Sequence, residues 1–379
     1  MPRPALTLRR LALKLPGALR VARLVKTARQ VPEAVRLATD PDESQTFYPE
    51  APRKEPRERL ADHLRYLFRH GETDSRYYMY GLDRAGVGQD AVVEYPEFRR
   101  IRDRGHAARS PAGLNYACVM EDKYLFGQVA ASFGFPAPRN LAFVDRGLVE
   151  WIGERERQPL AALVKRDLDG FCKPFAGISS RGVFALRVED GAISVDGESA
   201  ALDDLRSRLT QRYLVQERVE QHPEMARLHP PSLNTFRELT VLEGDAARVF
   251  GVILRMGRGG SSSDGHGAGG IGVSVDVESG RLEKRGLARA GGNPGWYDRH
   301  PDTGVVFEGL TLPFFDEAKS AACRFHKSLP FFHTVGWDVA VTPDGPLFVE
   351  GNENWGAAAP MSIEPDFRER FLALYKSPS

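Results

Sequence analysis

The chain has 379 residues, 42% hydrophobic and 27% charged, with no long apolar run; this fits a globular protein of one large or two moderate domains and excludes a transmembrane helix. Cys118, Cys172 and Cys323 are lone thiols without CxxC spacing, which argues for a reducing, cytoplasmic setting and against a zinc site or a disulfide framework. The net charge of +1 hides an asymmetry: residues 1–40 carry nine Lys or Arg against Glu33 and Asp40, leaving 43 basic and 49 acidic residues elsewhere, a body unlike that of a nucleic-acid binder.

Residues 1–45 form a basic amphipathic segment. Its opening, LTLRRLALKLPGALRVARLVKTARQV, interleaves Leu and Val with Arg and Lys at helical spacing, broken at Pro16. It lacks the apolar core of a secretory signal, so no cleavage or export is expected. Two readings follow: a helix packed on the rest of the protein, or a peripheral contact with an anionic membrane. A polar, proline-bearing linker runs from Asp40 to Glu58, overlapping the start of a helical region expected over residues 46–115. The aromatic cluster at Tyr77, Tyr78 and Tyr80 there reads as packing.

The run KYLFGQVAASFG after Glu121-Asp122 predicts a helix capped by Gly134, followed by a strand from Asn140 to Val144. Lys123 at a helix start is electrostatically awkward unless acids or an anionic ligand stand nearby; Glu121 and Asp122 are the local candidates. An apolar strand then ends on Lys173-Pro174. The loop Gly177-Ile178-Ser179-Ser180-Arg181-Gly182 leads into the strand VFALRV. Such a loop is either a plain flexible connection or a cradle that aims N–H groups and hydroxyls at phosphate oxygens. A helix over Leu202 to Leu209 precedes a strand, Tyr213 to Glu217, that carries the polar pair Gln216 and Glu217. Arg237, two residues from the hydroxyl of Thr235, is a phosphate-friendly pairing.

Gly257 to Gly272, GRGGSSSDGHGAGGIG, contains G-x-G-x-x-G, but a strand rather than a helix follows it. It is therefore a poor dinucleotide signature, and it reads as a mobile loop that closes over a ligand. A helix from Phe315 to Leu329 leads to GWDVAVTPDGPLFVEGNENWG, where two β-rich runs flank the turn Thr342-Pro343-Asp344-Gly345. In a register symmetric about Asp344, Asp338 faces Glu350, with Val339, Val341, Leu347 and Val349 on the opposite face. Asn352 lies two residues beyond Glu350. Opposed carboxylates repel unless a cation sits between them, and with an amide oxygen they suit Mg²⁺. A last helix, Pro365 to Tyr375, packs back on the body.

The order of these parts resembles the ATP-grasp superfamily, and within it the sugar-transfer associated ATP-grasp family. Six separated stretches carry the resemblance over about residues 75–375: the Asp122-Lys123 start, KPFAGISSRGV, VQERVEQHP, SLNTFREL, AGGIGVSVDVESG and GWDVAVTPDGPLFVEGN. The resemblance implies an α+β ATP-grasp fold over 116–375, two α+β subdomains clasping ATP about a hinge near 214–220, with a helical N-terminal extension. It implies that Lys123 and Lys173 hold the ATP phosphates and that Ser179, Ser180, Arg181 and Gly182 close over them. Gln216 and Glu217 would run past the adenine, with backbone groups of Arg218 and Val219 in contact. Glu220 or Glu224 would take the ribose hydroxyls, Arg237 would face the transferring phosphate, and Asp338, Glu350 and Asn352 would bind Mg²⁺. The implied activity is an ADP-forming carboxylate–amine (or –thiol) ligase working through an acyl phosphate. Its partners would be a small-molecule or saccharide-linked carboxylate and an amine or other nucleophile, in saccharide or cell-surface polymer modification. A small-molecule kinase and a non-catalytic nucleotide-binding scaffold are the alternatives. The turn Glu353-Asn354-Trp355-Gly356 departs from the family pattern, which leaves the acceptor open.

Overall fold

A computed structural model describes residues 25–39, 47–48, 51–110, 113–154, 156–174, 182–265, 269–288, 293–364 and 366–376. It divides the chain into two compact units, Met1–Phe98 and Arg99–Ser379. The basic stretch through Leu24 lies outside the described residues, as do Ser179, Ser180 and Arg181.

In the first unit, helix Val31–Thr39 packs on helix Pro56–His70. The second helix begins inside the stretch expected to be a linker, with Pro56 in its first turn and the Glu58 carboxylate accepting from the Glu55 N–H at 2.9 Å. Gly71 ends it in the left-handed conformation, φ 76°. Tyr66, Tyr77, Tyr78 and Tyr80 are buried, and the Tyr77 hydroxyl donates to Asp62 at 2.9 Å. The tyrosine cluster is packing.

The second unit is built on two antiparallel sheets. The first has eight strands in the order β3-β2-β1-β8-β4-β5-β6-β7. These are β1 (Asn140–Val144), β2 (Leu148–Trp151), β3 (Arg157–Pro159), β4 (Leu168–Pro174), β5 (Phe184–Glu189), β6 (Ala192–Val195), β7 (Glu198–Ala200) and β8 (Tyr213–Glu217). Alternation sorts β4: Cys172 joins a core with Leu186, Val188, Val215 and Leu205 of helix Leu202–Arg208, while Lys173 and Phe171 point the other way.

The second sheet has seven strands, ordered β13-β12-β11-β10-β9-β14-β15. They are β9 (Thr235–Glu243), β10 (Ala246–Met256), β11 (Ile271–Val275), β12 (Leu282–Ala288), β13 (Gly295–Tyr297), β14 (Thr334–Thr342) and β15 (Gly345–Asn352). One face carries Phe236, Val252, Leu254, Val335, Trp337, Val339 and Phe348, covered by Ala318, Ala322 and Phe325 of helix Phe315–Lys327 and by Phe126 of helix Lys123–Ser132. Burying Phe348 and Phe325 against Trp337 contributes roughly 1.5–3 kcal/mol per phenylalanine. At one end the other face meets two short helices, Ala358–Ile363 and Phe367–Leu374, through Gly251, Phe367 and Glu364. The second of these is the C-terminal helix expected from Pro365 to Tyr375; Ala358–Ile363 is a further turn of helix that was not expected.

The hairpin β14–β15 differs from its expected register in one instructive way. Its turn pairs Thr342 with Gly345 and Val339 with Phe348, one residue off symmetry about Asp344, and a bulge at Val349 then restores Asp338 opposite Glu350. Phe348, not Val349, therefore joins Val339 in the core, while Leu347 and Val349 are half-buried. The acids face each other as expected, but by a turn and a bulge that offset one another.

Candidate nucleotide and phosphoryl-transfer site

The face of the second sheet left uncovered by the core helices collects its charged residues by register. Arg237 on β9 pairs with Asp338 on β14 and with Ile253 on β10, so Arg237, Asp338, Thr235 and Arg255 share that face. Glu350 stands opposite Asp338. The first sheet supplies Lys173, at the end of β4. Lys123 opens helix Lys123–Ser132, whose N-cap is the Asp122 carboxylate accepting from the Leu125 N–H at 2.9 Å.

Lys123 is balanced by Glu350, at 3.4 Å, rather than by its sequence neighbours Glu121 and Asp122. Lys173 feels the charges of Glu350, Lys123 and Asp264, and burial pushes its ammonium down to a pKa of about 8. The structure thus brings together both lysines and the acid named from sequence. The Asn352 amide donates to Glu350 at 3.4 Å.

The Arg237 guanidinium grips Asp338 with two prongs, through Nε to Oδ1 and Nη2 to Oδ2 at 3.0 Å, and gives its Nη1 to the Trp355 carbonyl at 2.9 Å. Trp355 reaches this position because residue 336 is glycine: a Cβ there would lie 2.3 Å from the Trp355 Cβ. Trp355 is further pinned by its indole N–H to the Thr334 hydroxyl at 3.1 Å. The turn that departs from the family pattern is therefore tied to the arginine, and on its outer side to Arg102 and His106 through Asn354 and the Glu353 carbonyl.

Two residues here escaped the sequence reading. Arg255 donates Nη1 to Asp338 at 2.9 Å and Nη2 to Asp264 at 3.2 Å. Asp264, from the glycine-rich loop, also accepts from the Thr235 hydroxyl. Burial would raise the Asp338 carboxyl; Arg237 and Arg255 outweigh it and hold it well below the usual carboxylate range. Only the β9–β10–β14 register reveals Arg255, and the one signal for Asp264 was that it is the single acid in the loop Gly257–Gly272.

The residues expected around the adenine lie on β8 and just beyond it. Gln216 is buried beside Phe171 in register and donates to the Asn140 side chain at 2.9 Å, while its Oε1 is buried without a donor among the described residues. Glu217 is exposed and paired with Arg139 at 2.8 Å. The Arg218 N–H is held by the Asp169 carbonyl at 3.0 Å, and its side chain by the Asp169 carboxylate. Glu220 is exposed, whereas Glu224 is paired with Arg227. Of the Ser/Gly loop only Gly182 is described, with φ 75° and beside Pro174.

A match to the model of the sugar-transfer associated ATP-grasp family spans residues 113–371. The chain belongs to this family. No curated protein sequence matches it. Among solved structures it is similar to N5-carboxyaminoimidazole ribonucleotide synthetase from Thermotoga maritima (12% identity, 62% of this chain and 42% of that one, TM-score 0.32). It is also similar to L-amino acid ligase from Bacillus licheniformis (11%, 69% and 48%, TM-score 0.38) and to D-alanine–D-alanine ligase from Helicobacter pylori (12%, 69% and 62%, TM-score 0.40). The chain spans about half the length of the first two of these proteins. Within the ATP-grasp match, two carboxylates and an amide on adjoining strands form a hard-oxygen donor set of the kind Mg²⁺ takes. Asp338 gives both lone pairs of Oδ2 to Arg237 and Arg255 and one lone pair of Oδ1 to Arg237, so a single Oδ1 lone pair remains for the ion and Glu350 is the more open ligand. Among the described residues no helix is long and apolar enough to cross a membrane.

Proposed function

We propose that the protein is an ATP- and Mg²⁺-dependent carboxylate–amine (or –thiol) ligase that forms ADP and an acyl phosphate. The observation that carries this reading is the convergence of Lys123 and Lys173 on Glu350, on the sheet face that also presents Asp338 and Arg255. Phosphoryl transfer needs charge neutralisation and alignment rather than a protein nucleophile. Lys123 and Lys173 neutralise the ATP phosphates, Gly182 stands beside Pro174 at the end of the Lys173 strand, and Arg237 fixes Asp338. Glu350, Asn352 and Asp338 would hold Mg²⁺, which would supply positive charge against that of the phosphates. The buried Gln216 Oε1, lacking a donor, suits the amino group of adenine, with Glu217, Arg218 and Val219 alongside and Glu220 toward the ribose.

A carboxylate oxygen of the substrate attacks the γ-phosphorus, the bond from that phosphorus to the ADP oxygen breaks, and ADP departs with the electron pair. An amine nitrogen then attacks the acyl carbon, phosphate leaves, and the amine loses one proton. The family's association with sugar transfer supports a saccharide-linked substrate, the lone cysteines a cytoplasmic setting, and the nine basic residues of 1–40 a membrane-peripheral one.

Incubating the protein with MgATP, pooled carboxylates and hydroxylamine tests the reading. ADP formed together with hydroxamates is expected. AMP with pyrophosphate, or no nucleotide turnover with any carboxylate, would refute it.

A further inference from the structure

The two arginines of this face are not equivalent. Every nitrogen of Arg237 is committed, to Asp338 and to the Trp355 carbonyl. Arg255 makes single bonds only, to Asp338 and, at 3.2 Å, to Asp264, and its Nε is buried with no acceptor among the described residues. A buried guanidinium N–H without a partner is costly, and the Nε–Nη2 edge is the one that matches a carboxylate with two parallel bonds. Asp264 fills that edge with one oxygen, because its other oxygen is taken by the Thr235 hydroxyl.

We infer that Arg255 is the anchor for the substrate's carboxylate, and that Asp264 occupies it in the free protein as an internal stand-in. The inference rests on the ligase reading, whose carboxylate must lie beside the transferred phosphate. Arg255 meets that condition: it shares Asp338 with Arg237, and Lys173 senses Asp264. Asp264 is a weak occupant as well as a poorly matched one. Burial raises its carboxyl and Asp338 adds to this, against the pull of Arg255. The loop base is built to bring it there. The Gly270 N–H donates to the Gly265 carbonyl at 3.1 Å, and a Cβ on Gly270 would meet the Asp264 carbonyl oxygen at 2.5 Å. A substrate carboxylate that displaces Asp264 gains a two-pronged pair and satisfies Nε.

Calorimetric titration of acetate into the full chain with MgADP present tests this. Asp264→Ala should bind acetate at least about tenfold more tightly than the natural chain, and Arg255→Ala added to it should remove that binding. Equal affinity in the natural chain and in Asp264→Ala, or binding that survives Arg255→Ala, would overturn the inference. If the alanine variant does not fold, Asp264→Asn, which still accepts from Thr235, carries the same comparison with a smaller gain. Failure of the ligase reading gives a different result: no hydroxamate from any carboxylate, with Arg255-dependent acetate binding retained, leaving Arg255 a carboxylate site outside acyl-phosphate chemistry.

Discussion

At the scale of single residues, the site depends on one missing methyl group. Gly336→Ala places a Cβ 2.3 Å from that of Trp355 and 3.2 Å from the Arg237 side chain, so Trp355 must move and its carbonyl leaves Arg237. A loss of about 1–3 kcal/mol in urea melts is expected, together with a loss of ADP formation larger than Phe348→Ala causes at equal stability. Lys173 behaves in the opposite sense. Its folded pKa of about 8 lies below the usual 10.5 because it is buried, so below pH 8 its charge costs stability, and that cost disappears as pH rises from 8 to 10.5. Lys173→Met should therefore abolish ADP formation without lowering Tm at pH 7, as scanning calorimetry can check. Asp338 and Glu350 were readable in the sequence because a hairpin's turn and alternation are local, whereas Lys123 and Lys173 entered through the family resemblance. Arg255 and Asp264 were not readable, since nothing in LRMGRGG or SSSDG tells which strand neighbours bring them to Asp338.

At the scale of elements, the β14–β15 hairpin shows how alternation can succeed for an incomplete reason. The pairing of Asp338 with Glu350 was legible from the turn. The bulge at Val349 was not, because Leu-Phe-Val-Glu gives no sign of which apolar residue is extra. Deleting Val349 would leave a regular ladder with Phe348 in the core and Glu350 still opposite Asp338; ADP formation that survives the deletion is expected, and its loss would show that Glu350 needs the bulge itself to reach its working position. The opposite face of β9 hides another titrating group. Glu238 is 0% exposed beneath helix Phe315–Lys327, and neither carboxylate oxygen has a partner among the described residues. Burial raises its pKa to about 8, against the opposing charge of Lys319. The folded state thus holds a proton that the unfolded chain releases above about pH 4.5, and stability falls as pH rises from there through 8. Chemical denaturation at pH 5 and pH 8 should show a loss of roughly 2–4 kcal/mol in the natural chain and a much flatter profile in Glu238→Gln.

At the scale of the whole molecule, the α+β class was what the family resemblance implied, while most element positions followed from periodicity and turn chemistry: the strand Asn140–Val144 and the helix start at Lys123 stand where the sequence puts them. Sheet order did not follow. β8 inserts between β1 and β4, and β14 lies beside β9 across roughly a hundred residues, pairings that no local pattern encodes. These long-range pairings are what set Lys173 of one sheet against Glu350 of the other. The central claim is that a carboxylate oxygen attacks the γ-phosphorus in that space. Mass spectrometry of inorganic phosphate, after turnover of ¹⁸O-labelled carboxylates with MgATP and hydroxylamine, tests it most directly. The account predicts ADP and phosphate carrying one ¹⁸O from the carboxylate; unlabelled phosphate, or label retained in full by the carboxylate product, would contradict it.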